Sequence, residues 1–277
     1  MLRTYIRKSI KNYAIVTGGT GGVGKEIVSM FNNNKVPVIL TGRNINKAEY
    51  IAKELQELGN STPIIAKELD LNNTESIINF CMDLKTTTTY PKYLINNAGV
   101  LILDKIHQIP EKHLNLMFNV NSIGPMLLTK YFLKEINNNH GFILFNSPPY
   151  NIDDKTSLIM PYMQSKLAQT TFMKSLANAY HHDWLTTCSF WTLYPLATDA
   201  IIKRGIGEED DCMCPSILAN IVEQIIWPSY PFSINGGELL DGKYLNAMGI
   251  DINKFKMSNK SPPLLDDLFY KHLTKNN

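Results

Sequence analysis

YAIVTGGTGGVG, residues 13–24, joins a short apolar run to a cluster of glycines. Tyr13-Ala14-Ile15-Val16 is rich in strand formers and too short for a helix. Residues 25–31 (KEIVSMF) then repeat apolar side chains at helical spacing. The glycines therefore occupy a strand-to-helix turn of the form T-G-x-x-x-G-x-G, with Thr17, Gly18, Gly22 and Gly24 at its fixed points. Without a Cβ the backbone can approach a pyrophosphate closely, and the N–H groups opening the helix face the anion. Gly24 also lets the helix pack tightly on the strand. A glycine-rich stretch alone is equally a flexible surface loop. The flanking strand and helix, at the head of an alternating chain, are what point to dinucleotide binding.

Outward from this turn the pattern keeps alternating. Strands are predicted at 36–41 (VPVILT), 63–66 (PIIA), 93–95, 142–145 (FILF), 186–194 and 238–244 (ELLDGKY). Helices are predicted at 47–58, stopped by Gly59-Asn60, at 72–84 before a polar threonine loop (86–89), and at 112–136. Gly124-Pro125 interrupts the last of these, and Asn137-Asn138-Asn139 closes it. Further helices are predicted at 162–180, after an irregular loop (147–160), and at 216–227. Strands alternating with helices at this spacing imply an α/β fold: a Rossmann-like, doubly wound parallel sheet of about seven strands with helices on both faces. No repeat or linker splits the chain, so the expectation is an arm (1–12), one domain (13–250) and a tail (251–277). In the tail a Pro262-Pro263 break precedes a helical pattern, LLDDLFYKHL (264–273). It suits a cap on the domain, a subunit contact in a homo-oligomer, or a membrane surface.

Composition narrows the partners. A formal charge of +2 over 277 residues is too weak to argue for nucleic acid or a membrane surface. An apolar fraction of 44% is ample for a buried core, and no apolar run approaches the length of a membrane span. Cys81, Cys188, Cys212 and Cys214 lack the paired spacing of a zinc site, so they read as reduced structural thiols and no metal is expected. The opening MLRTYIRKSIKN is basic and free of acidic residues, either a short arm before the first strand or the stub of an organelle-targeting segment. A cytoplasmic place is expected, with a mitochondrial or membrane-surface one left open. His181-His182, the aromatic cluster Phe190, Trp191 and Tyr194, and the acidic run 208–211 (EEDD) read as helix end, sheet core and solvated loop.

Chemistry is carried by Tyr162 and Lys166, which stand four apart on one helical face. A phenol titrates at about 10, too high for acid–base work at neutral pH. A neighbouring ammonium, helped by a cationic nicotinamide ring, would favour phenolate. The pair alone is equally a surface lysine beside a half-buried tyrosine. It gains weight from following, in order, the glycine turn and Asn96-Asn97-Ala98-Gly99.

In that order the motifs resemble the short-chain dehydrogenase/reductase family over about residues 13–245, and SKLAQTTFMKSLANAY (165–180) is most similar to its retinol dehydrogenase and carbonyl reductase branch. The resemblance implies that Thr17, Gly18, Thr20, Gly22, Val23 and Gly24 hold the cofactor pyrophosphate. Asn97, Ala98 and Gly99 would support the sheet and line the adenosine and nicotinamide side, and Asp70 with Leu71 would contact adenine. Val120-Asn121 matches the family's active-site asparagine, which holds a water in a proton relay with the lysine. Tyr162 would be the acid/base, and Lys166 its partner and the holder of the nicotinamide ribose.

Two departures stand out. The family's substrate-binding serine falls on Pro148, which has no hydroxyl; Ser147, one residue early, is the remaining candidate. After the sixth strand, Pro195-Leu196-Ala197-Thr198 replaces the usual P-G turn, with Thr198 left to reach the carboxamide. Cofactor choice rests on Gly42-Arg43. NAD-specific members place an acidic residue there, whereas a guanidinium can clamp a 2′-phosphate, so NADP(H) is expected, with NAD(H) the alternative. The expected activity is alcohol/carbonyl interconversion on an apolar small molecule of the steroid, retinoid or lipid type. The rival is a cofactor-binding regulatory or scaffold protein with impaired catalysis, favoured by Pro148 and the altered turn.

Overall fold

The computed structural model describes residues 11–59, 61–86, 90–151, 157, 159–229 and 234–275. The basic opening before residue 11, Asn60, residues 87–89 of the threonine loop and most of 152–158 lie outside the described residues. Seven strands form one parallel sheet: β1 (Lys11–Val16), β2 (Val38–Gly42), β3 (Ile64–Glu68), β4 (Tyr90–Asn96), β5 (Phe142–Asn146), β6 (Thr186–Trp191) and β7 (Glu238–Leu240). Their order is β3-β2-β1-β4-β5-β6-β7. The inner strands read as unbroken apolar runs because both faces of the sheet are covered.

The helices are α1 (Gly22–Asn33), α2 (Ile45–Leu58), α3 (Thr74–Thr86), α4 (Glu111–Phe118), α5 (Gly124–Asn138), α6 (Met160–Ala179), the short α7 (Asp199–Ile202), α8 (Ser216–Ile226), α9 (Asp241–Ala247) and α10 (Leu265–Lys275). Alternate residues of each strand feed two cores. Ala14, Val16 and Ile95 pack with Ile27 and Phe31 of α1 and Ile221 and Ile225 of α8. Ile15, Leu94 and Phe145 pack with Phe80 of α3, Phe132 of α5 and Met173 of α6. A third, smaller cluster joins Leu101, Tyr162 and Ile201 to Leu265 and Phe269 of α10.

Three sequence expectations change. β1 starts at Lys11, so the first strand takes the end of the supposed arm. The predicted sixth strand stops at Trp191 rather than Tyr194, because the Thr192 hydroxyl donates to the Tyr194 carbonyl (2.6 Å) and closes a turn. The last strand ends at Leu240 instead of Tyr244, and α9 begins at once. Asp241 is the cause: its fully buried carboxylate accepts from Leu193 N (3.0 Å) and Gly242 N (2.6 Å) and shares the Thr192 hydroxyl proton (2.8 Å) with the Tyr194 carbonyl. Those bonds pull the chain out of the ladder and satisfy a donor opening the helix. No helix among the described residues is long and apolar enough to cross a membrane.

Candidate active site

The sheet order reverses beside β1, which pairs with β2 on one side and β4 on the other. That is where an open α/β sheet leaves a crevice at the strand ends. Thr17 ties its two walls together. Its hydroxyl donates to Ile95 O (3.2 Å) and accepts from Asn97 N and Ala98 N (3.0 Å each), and its carbonyl accepts from Asn97 Nδ2 (3.0 Å). The glycine turn thus lies directly against Asn97-Ala98-Gly99. A Cβ on Gly24 would run into the Gly18 carbonyl, so α1 can start this close to β1 only with a bare backbone there.

A cleft of about 420 Å³ opens above the turn. Thr17, Gly18, Thr20, Gly22, Val23 and Gly24 line it, as do Asp70 and Leu71, Asn97 to Gly99, and Thr198 across from Gly22. Arg43 lines its outer end, exposed and without a carboxylate partner among the described residues. Tyr162 and Lys166 line the inner end. All but two of the predicted site residues therefore share one cavity, the exceptions being Asn121 and Ser147.

Both catalytic candidates are buried, Tyr162 at 6% exposure and Lys166 at 3%. Lys166 Nζ donates to the Asn146 carbonyl (2.8 Å) and lies 5.7 Å from the centre of the Trp191 ring. Burial pushes the Lys166 ammonium down to about 7. It also pushes the Tyr162 phenol above its ordinary range in the protein without a nicotinamide ring beside it. Burial is the cause of both shifts, and it favours the neutral, protonated phenol.

Asn121 works from behind the cleft. Its side chain accepts from Val100 N (2.7 Å) and donates to Val100 O (2.9 Å) and Ser165 Oγ (2.9 Å), pinning the loop after β4 to α6. The Gly124-Pro125 irregularity makes this reach available, because residues Asn119–Ile123 form a π-helical turn between α4 and α5. Pro125 has no N–H for the Asn121 carbonyl, and the buried Gln169 side chain of α6 donates to it instead.

The family model for short chain dehydrogenases matches residues 12–201. The chain belongs to that family. It is therefore a member of a family of oxidoreductases. Mouse retinol dehydrogenase 11 is 30% identical over 190 residues, covering 64% of this chain and 59% of that protein. The matched segment thus spans about three fifths of the curated relative's length. Among solved structures, a short chain dehydrogenase from Mycobacterium thermoresistibile superposes with a TM-score of 0.80 at 20% identity, over 92% of this chain and 94% of its own. An archaeal alcohol dehydrogenase from Thermococcus sibiricus, solved with 5-hydroxy-NADP, gives a TM-score of 0.71 at 19% identity, over 83% and 95%.

Against the short-chain dehydrogenase pattern, the structure does not bring Ser147 to the cleft. Ser147 is fully buried, and its hydroxyl is hydrogen-bonded to Thr170 Oγ1 of α6 (2.9 Å). The one-residue offset along the strand end sends it to the helix-covered face. Pro148 is held there too, its carbonyl bonded by the same threonine (2.6 Å). Asn146 takes the place at the cleft wall, its side chain donating to Asn97 Oδ1 (3.0 Å). Trp191, expected in the sheet core, is half-buried and lines the cleft, while Phe190 is fully buried. Asn146, Trp191, Leu265 and Phe269 are among the lining residues that sequence motifs do not flag. For the last two a signal exists in the apolar spacing of LLDDLFYKHL, though not the surface on which it docks.

Proposed function

We propose that this protein is an NADP(H)-dependent oxidoreductase interconverting an alcohol with a ketone or aldehyde on an apolar small molecule. The observation that carries the reading is one cavity holding the glycine turn at one end and the buried Tyr162–Lys166 pair at the other. The residues fit the cofactor: Gly24 leaves a backbone cradle that a Cβ would fill, and Arg43 offers at the outer end a guanidinium with no carboxylate partner among the described residues. When bound, the cofactor would supply the hydride as NADPH in the reducing direction and accept it as NADP⁺ in the oxidising one. Tyr162, held protonated by burial, gives its proton to the substrate oxygen in the reducing direction; in the oxidising direction it must first lose that proton, and the phenolate then takes the one from the alcohol. Lys166, poised at about 7, stands on the same helix face and can pass a proton in either direction. Asn121 keeps the loop beneath both in place. Apolar walls from Leu101, Leu196, Ile201 and Phe269, and relatives named retinol dehydrogenases, support an apolar substrate of the retinoid, steroid or lipid type.

The buried Ser147 favours a second reading, a cofactor-binding regulatory protein with impaired catalysis, since the cleft lacks that hydroxyl beside the tyrosine. NADPH calorimetry beside a screen of ketones and alcohols separates the two. NADPH binding with turnover on apolar ketones is the expected result, and tight binding without turnover on any compound would favour the regulatory reading. Arg43→Ala tests the cofactor assignment. A charge-assisted hydrogen bond is worth about 1.5–3 kcal/mol. The variant should therefore weaken NADPH roughly ten- to a hundredfold and leave NADH nearly unchanged. Equal loss for both cofactors would assign Arg43 to the loop alone.

A further inference from the structure

Residues 256–275 fold back over the mouth of the cleft. Lys256 pairs with Met213 in an antiparallel bridge, and Met257 N donates to Cys212 O (3.1 Å). Lys260 reaches both Asp210 and Asp211 at 3.6 Å, so the acidic run anchors the returning chain. Leu265 N then donates to Leu193 O (2.9 Å), which sets the start of α10. Leu265, Leu268, Phe269 and Leu273 form its buried stripe, at helical spacing, while Tyr270 and Lys271 face solvent. Leu268 seats against Gly207, where an added Cβ would stand 2.9 Å from Leu268 Cδ2. The helix is thereby drawn down until the Phe269 ring meets Tyr162 edge to face, with 6.4 Å between centroids and 85° between planes.

Phe269 and Leu265 line the same cavity as Tyr162, Leu101 and Ile201. A substrate oxygen that reaches the Tyr162 hydroxyl must place its carbon skeleton in the apolar space these side chains bound. We infer that Phe269 is a specificity-determining residue: its ring forms the roof over Tyr162 and sets the bulk of the apolar group that fits beside the reacting carbon. The assignment rests on the proposed oxidoreductase activity. A misfit of one methylene in an apolar pocket changes selectivity about 10–200-fold, so a whole ring is an ample lever.

The test compares full-length wild type, Phe269→Ala and Phe269→Trp on one-, two- and four-ring ketones at saturating NADPH. Phe269→Ala should raise the four-ring to one-ring ratio of kcat/KM by at least about tenfold, and Phe269→Trp should lower it. Calorimetric binding of the same ketones to the protein loaded with NADP⁺ should show the same ratios without any turnover. If the wild type reduces no ketone, the oxidoreductase reading fails and the binding ratios alone decide the roof assignment. Ratios within about twofold of wild type in both variants would overturn it. Should Phe269→Ala fail to bind NADPH, Phe269→Leu takes its place, with a smaller shift in the same direction expected and an unchanged ratio again overturning the assignment.

Discussion

Tyr162→Phe should lower turnover by about 10²–10⁴-fold, the range for loss of a general acid, while NADPH affinity stays near wild type. The substitution removes one oxygen and leaves the ring that packs edge-on against Phe269, so the roof and the third apolar cluster persist. What disappears is the proton that burial holds on the phenol across the neutral range. Loss of kcat with an intact NADPH titration would place the effect in the chemical step. A variant that turned over at the wild-type rate would remove Tyr162 from the mechanism.

Lys166→Met should produce the second large effect, in two separable readouts. Turnover should fall about a hundredfold or more if the lysine takes part in proton transfer, and the inflection near pH 7 in the wild-type rate profile should vanish. Stability should move the other way. The native lysine titrates at about 7 and the unfolded one at 10.5, so between those values the unfolded chain binds the extra proton. Wild-type stability therefore rises with pH across that window, and the full cost of burying the ammonium is felt at and below pH 7. The methionine variant, free of that cost, should be more stable by about 2–4 kcal/mol near pH 6.5, with the gap closing toward pH 10. Lost contacts to the Asn146 carbonyl and the Trp191 ring keep the gain from being larger. Thermal melts at the two pH values decide it, and a gap that does not change with pH would mean that Lys166 is not desolvated.

The parts of the site that sequence makes legible are those built by local chemistry. The glycine turn is readable because a strand, a run of glycines and a helix start are adjacent in the chain. Tyr162 and Lys166 are readable because a helix fixes which residues share a face. Gly124-Pro125 announces an irregularity, and the π turn lies immediately before it. Legibility ends where a side chain is captured by a distant element. Ser147 turns away because Thr170, 23 residues on, bonds its hydroxyl. ELLDGKY reads as a strand, yet Asp241 is claimed by Thr192 and Leu193 across the sheet edge. Trp191 and Phe269 meet the cleft only through the docking of separate segments, which no local pattern encodes.

The π turn sets the regularity of one helix against the position of Asn121. Gly124 N bonds to Asn119 O five residues back, one more than a regular α-helical turn requires. Losing a single residue between Asn119 and Ile123 would take that extra residue out of the turn, but Pro125 would still leave the ladder one N–H short. The same deletion would turn Asn121 off its bearing and release Val100 and Ser165. A backbone irregularity here is the condition of the site, because it aims Asn121 at Val100 and Ser165.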